Sequence, residues 1–208
     1  MDDLVVALDE LDVVLAYNDF FDGYLEDAHR QYRMGRDSVG TGSLHRPNSF
    51  GLLGGIIDGD AMVLKRLAFA RNVRAVDPVP LQEFEEMIVP QFGPQYDDGQ
   101  RGFWCDSRDL LRVARDFEAE DLELLGAIHL HPDWHRIGPV HERGTQKLSE
   151  KPSRMDDYLF RCAGWPLNII CYLESRAGGI AHTYGAYRAP GPADPPDAAV
   201  ALNMRFFG

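Results

Sequence analysis

The chain has 208 residues, of which 45% are apolar and 26% charged. That composition belongs to a globular domain able to bury a real core. A net charge of -12 excludes a protein that grips nucleic acid or an anionic membrane surface through phosphates, because no basic stripe offsets it.

Residues 1–17 form an arm with two open readings, strand–turn–strand or amphipathic helix. The start Met1-Asp2-Asp3 is acidic, unlike a signal peptide. From Asp19 to Met34, Phe20, Phe21, Tyr24, Leu25, Ala28 and Tyr32 recur at helical spacing. Gly35 is the expected stop, and 36–49 reads as a polar loop. Phe50 to Ile57 reads as a buried strand with glycines for close approach. Asp58-Gly59-Asp60 is a hairpin turn, and Ala61 to Ala70 returns as the second strand. Residues 77–101, broken by four prolines, form an excursion with one short helix near Leu81 to Ile88.

Asp106-Ser107 caps a helix carrying Leu110, Leu111, Val113, Ala114 and Phe117. Leu122 to Leu130 is the expected central strand, Ser153 to Cys162 a short helix, Leu167 to Leu173 a buried strand, and Ile180 to Tyr187 its partner. Residues 189–208 read as a Pro-rich extended tail whose apolar end, Val200 to Phe207, folds back as an edge strand. The alternation of helices and strands indicates an α/β sandwich in one domain over 1–188. The three cysteines, Cys105, Cys162 and Cys171, match no zinc or disulfide spacing, so reduced thiols in a cytoplasmic protein are expected. Cys162 and Cys171 read as core. No apolar run reaches the roughly 20 residues of a membrane helix.

The chemistry concentrates at Gly126-Ala127-Ile128-His129-Leu130-His131-Pro132. On a strand, His129 and His131 share a face. Two neutral imidazoles side by side are half of a divalent metal site; they also suit an ordinary polar strand end. Downstream, Pro152-Ser153-Arg154-Met155-Asp156 places Ser153 at an N-cap and Asp156 at N3, which suits a capping box with no further role.

Taken together, the His-x-His-Pro strand end and the following Pro-Ser-x-x-Asp helix start resemble the JAMM (MPN-domain) metalloprotease family in its stand-alone bacterial type. Phe50-Gly51-Leu52-Leu53-Gly54 is similar to that family's early glycine strand. Arg71-Asn72 falls where the family has an Asn, and the resemblance spans roughly 18–188. It implies a mixed β-sheet flanked by helices, cytidine-deaminase-like. It implies zinc held by His129, His131 and Asp156, with Ser153 donating to the oxyanion, and hydrolysis of an amide or isopeptide bond. The implied substrate is the C-terminal tail of a ubiquitin-like or sulfur-carrier protein, bound by strand addition. A small-molecule amide hydrolase and a non-catalytic binding module are the alternatives, and a homodimer is left open.

Two departures stand out. Pro132 to Pro152, 21 residues, separate His131 from Ser153, a longer loop than the family's. The family's general-base glutamate, three residues before the glycine of its first strand, is here Asn48. An amide orients a water but takes no proton at neutral pH. Glu142, in the inserted loop, is the candidate substitute base, with Glu26 and Glu10 more remote. His135 and His141 in the same loop read as solvated.

Overall fold

The computed structural model describes residues 11–140, 151–190 and 198–208. Seven strands close into one mixed sheet in the order β1-β3-β2-β4-β5-β6-β7. They are β1 (Val13–Tyr17), β2 (Phe50–Asp58), β3 (Ala61–Phe69), β4 (Glu123–Pro132), β5 (Leu167–Arg176), β6 (Gly179–Arg188) and β7 (Val200–Phe207). The helices are α1 (Asp22–Ser38), α2 (Pro78–Glu83), α3 (Val89–Phe92), α4 (Ser107–Glu118), α5 (Trp134–Ile137) and α6 (Arg154–Ala163). No helix of the described residues is long and apolar enough to cross a membrane.

The mixed α/β class agrees with the sequence reading, but the sheet closes into a barrel and is not the sandwich expected. The difference lies at the two ends of the chain. β7 pairs in parallel with β1 and antiparallel with Ala186–Arg188 of β6. The segment read as a tail with an edge strand therefore has strand neighbours on both sides. Part of the arm, β1, supplies the other half of the closure. Burial of Val14, Ala16 and Leu202 holds the seam, and each such side chain contributes on the order of 1–3 kcal/mol.

Closure runs along only part of the strands. β1 pairs with just Ala61–Val63 of β3. Toward the other end, α1 packs against both β3 and β6. Tyr24 stacks on Phe69 at 6.3 Å and Phe21 on Tyr184 at 4.5 Å. Tyr24, Ala28 and Tyr32, one turn apart, enter the inner core. That core takes Ile128 and Leu130 of β4 and Ile169, Cys171 and Leu173 of β5. The alternate residues face outward: Ala127 packs with Phe117 of α4, and Ile170 and Tyr172 with Phe160 of α6.

Three local expectations change. α1 continues past Gly35 to Ser38. A Cβ at Gly35 would lie 2.4 Å from Pro47 Cγ, so this glycine admits the loop before β2 rather than ending the helix. The excursion holds more helix than expected: α2 passes through a π turn, Phe84–Ile88, into α3, and Pro94–Tyr96 adds a 3-10 turn. Cys162 is exposed, not core.

Candidate metal centre

The outward face of β4 carries the two histidines. Inward burial of Ile128 and Leu130 leaves His129 and His131 on the side facing α6. β4 and β5 are parallel neighbours, with His131 opposite Tyr172. The chain between them returns through α6, and this crossover brings the first turn of α6 under the imidazoles.

Ser153 and Asp156 form a reciprocal capping box. The Asp156 amide donates to Ser153 Oγ at 3.1 Å, and the Ser153 amide donates to Asp156 Oδ2 at 2.6 Å. The capping role expected from the sequence is therefore real, and it coexists with a second arrangement. Asp156 Oδ1 lies 3.4 Å from His129 Nε2, and Oδ2 lies 3.4 Å from His131 Nε2. The two Nε2 atoms are 3.0 Å apart. The three residues form the one group of His, Cys, Asp or Glu side chains among the described residues able to hold a metal ion.

All of these side chains are buried: Asp156 is 1% exposed, His129 5%, His131 7% and Ser153 8%. Burial pushes the His129 pKa down, and the neighbouring His131 adds to this, while Asp156 opposes it. Burial alone would raise the Asp156 carboxyl. The His131 and His129 imidazoles outweigh it and hold the group well below the usual carboxylate range. The pair is thus set for a neutral His129 and an ionised Asp156, the protonation states of ligands.

Aromatic rings fix the imidazoles. Phe103 stacks on His129 with centroids 4.4 Å apart, and Tyr172 meets His131 edge-on at 5.6 Å. Tyr172 in turn shares a 3.0 Å hydroxyl contact with Tyr187.

A cavity of about 120 Å³ opens on the group. Asn48 stands in its wall, reached through the loop that Gly35 admits, as do Arg46, Arg101, Phe103 and Trp134. Among the described residues lining it, Asp156 is the sole carboxylate. Glu142 and His141 lie outside the described residues, as does Glu10. Glu26 lines a separate surface depression on α1 with Arg30 and Phe69. His135, on α5, is not part of the metal-binding group; the sequence suggests a solvated side chain, yet its Nδ1 is buried without a hydrogen-bond partner among the described residues. The thiols take no part: burial pushes Cys105 and Cys171 up to about 12.

Sequence reasoning missed Arg46, Arg101 and Phe103, which no local pattern marks. It also missed Asp133, two residues past His131. Fully buried, Asp133 accepts from the Tyr32 hydroxyl at 2.6 Å and the Ser175 amide at 2.9 Å. It ties the end of β4 to α1 and β5. An Asp directly after His-Pro was the available signal.

No family model and no curated protein matches this chain. Among solved structures it is similar to the solution structure of protein DSY2949 from Desulfitobacterium hafniense, at 16% identity and a TM-score of 0.50. The match covers 93% of this chain and 92% of that one. At that identity the likeness speaks for the fold alone.

Proposed function

We propose that this chain is a metallohydrolase of JAMM type. It holds zinc on His129, His131 and Asp156 and cleaves an amide or isopeptide bond at the C-terminal tail of a ubiquitin-like or sulfur-carrier protein. The observation carrying this reading is the buried donor cluster opening on a cavity, in which the two Nε2 atoms lie 3.0 Å apart and each lies 3.4 Å from a different oxygen of Asp156. A tetrahedral zinc with bonds near 2.05 Å sets its donors about 3.3 Å apart, so the donor spacing fits the ion. Two imidazoles and one carboxylate leave a fourth position, the pattern of catalytic rather than structural sites.

When bound, zinc supplies Lewis acidity to the scissile carbonyl and lowers the pKa of a water. The chain's own residues do the rest. Ser153 Oγ accepts from the Asp156 amide, which leaves its hydroxyl proton to donate to a developing oxyanion. Phe103 covers one face of His129 and excludes water there. Asn48 orients a polar group at the cavity wall but takes no proton. We assign the proton of the attacking water to Glu142, on its place in the sequence between His131 and Ser153.

Asn48 favours two other readings, a small-molecule amide hydrolase with different proton chemistry and a metal-holding binding module. Metal content separates these from a domain without the metal. Elemental analysis of protein purified without added metal is expected to find about one zinc per chain in the wild type and none in His131→Ala. Absence of zinc in the wild type, with no uptake on addition, overturns the hydrolase reading. With zinc present, cleavage of carrier-fusion and peptide substrates separates enzyme from binding module.

A further inference from the structure

Helices cover the sheet unevenly. α4 packs Phe117 on the outward side of β2 and β4, and α6 packs Phe160 on that of β5. Along β1, β7 and the first half of β3, the inward residues Val14, Ala16, Met62, Leu64 and Leu202 enter the core. Their outward neighbours belong to none of the buried clusters among the described residues, yet many are apolar. Strand pairing sets Val13 between Ala61 and Asn203, and Leu15 between Val63 and Arg205. Ile56 of β2 extends the second row beside Val63. Tyr17 pairs with Phe207, their rings 4.3 Å apart, and Lys65 Nζ lies 5.7 Å over the Tyr17 ring. Tyr17 is 46% exposed, Ile56 39% and Phe207 36%. A contiguous apolar patch with a polar rim is the signature of an interface.

The charges on this face are segregated along the strands. Exposed Lys65 and Arg205 stand toward one end. At the other end stand exposed Asp58, Asp60 and Asp12, and the Asp12 amide donates to the Asp60 carbonyl at 3.1 Å, which sets these two acidic residues side by side. A face of this kind is complementary to its own copy turned end for end. We propose that the outward side of β1, β3 and β7, with Ile56, is the isologous interface of a homodimer. A two-fold axis crossing the strands between Val13 and Leu15 lays Lys65 of each copy over the Asp60 turn of the other and brings Arg205 toward Asp12. It stacks Val13 and Ala61 of one copy on Leu15 and Val63 of the other. A copy laid on with its strands running the same way sets Lys65 against Lys65, which repulsion disfavours. The face is four strands wide at about 4.8 Å each, smaller than the roughly 800 Å² per partner of a standard interface. Association is therefore expected at about 10–100 µM. None of its residues belongs to the metal-binding group, so the dimer stands apart from the hydrolase reading.

Sedimentation equilibrium of the full chain from about 1 to 300 µM, the range that brackets such an affinity, tests this. Wild type is expected to pass reversibly from monomer to dimer. Lys65→Glu is expected to weaken the dimer at least about ten-fold, and adding Asp60→Lys is expected to restore it to within about three-fold, because the swapped charges meet again across the two-fold axis. Phe207→Ser, next to the last residue, is expected to weaken it about ten-fold as well and keeps the test open should the Lys65 variant fail to fold, which the thermal midpoint reports. A monomer throughout the range overturns the proposal. So does a dimer that is indifferent to Lys65→Glu and Phe207→Ser, since the copies would then meet through another face. Failure of Asp60→Lys to rescue a folded Lys65→Glu overturns the end-for-end arrangement on which the proposal rests.

Discussion

Ser153 and Asp156 hold each other through two hydrogen bonds of 3.1 and 2.6 Å, and the same Asp156 carboxylate stands 3.4 Å from each of two imidazoles. A helix cap and a candidate metal ligand are thus one side chain. The cap limits the rotamers open to Asp156 before any ion arrives, which lowers the entropy lost on ligation.

The two roles separate by mutation. Asp156→Asn keeps an oxygen to accept the Ser153 amide but loses the charge. It is expected to leave the fold near wild type by circular dichroism while zinc content falls to background. Ser153→Ala removes one cap bond, which costs about 1 kcal/mol by urea titration. It retains zinc and loses on the order of 10² to 10³ in kcat. Full activity in the Ala variant would remove Ser153 from the chemistry.

Asn48 and Glu142 test where the proton goes. Glu142→Gln is expected to lower kcat by about 10² to 10⁴, the range for loss of a general base. Asn48→Glu places a carboxylate in the cavity wall and is expected to restore much of that loss in the double variant. A Glu142→Gln enzyme as fast as wild type rules Glu142 out.

Gly126 holds β4 against β5. A Cβ there would sit 1.6 Å from the Leu167 carbonyl oxygen, a backbone atom that cannot step aside. Gly126→Ala is expected to destabilise by about 3 kcal/mol or more in chemical denaturation and to lose zinc with it. Gly23→Ala, on α1 with nothing within 4 Å, is the control. It should gain about 0.5–1 kcal/mol from helix propensity.

Asp109 gives a pH signature away from the centre. Hydrogen bonds from Arg71 to Asp109 lower its carboxyl below the usual aspartate value. A lowered folded pKa contributes stability that is fully present above the unfolded pKa, about 3.9, and is lost as pH falls through the folded value. Asp109→Asn is therefore expected to lower the thermal midpoint at pH 7 and to have no effect at pH 2. Since the Arg71 side chain is 66% exposed, the effect at pH 7 should be small and shrink in high salt. An equal loss at both pH values would show that packing, not charge, explains it.

Much of this protein was legible locally. Period-two alternation put His129 and His131 on one strand face, Asp106 capped α4, and Ser153 with Asp156 marked the start of α6. The hairpin of β2 and β3 followed from its Asp-Gly-Asp turn. Each of these rests on contacts within a few residues, so sequence spacing is enough to read them. Long-range packing decided the rest. The seam between β1 and β7 joins residues about 190 apart along the chain, and nothing in Val200–Phe207 by itself distinguishes an edge strand from a closing one. Arg46, Arg101 and Phe103 reach the cavity only because α1 admits Pro47 at Gly35 and the 78–104 excursion folds over β4 and α6. The sequence by itself determined the types of the candidate ligands and their local geometry. The tertiary structure decided that β4 and α6 meet and what surrounds them, because burial of side chains far apart in sequence, not local propensity, selects that arrangement.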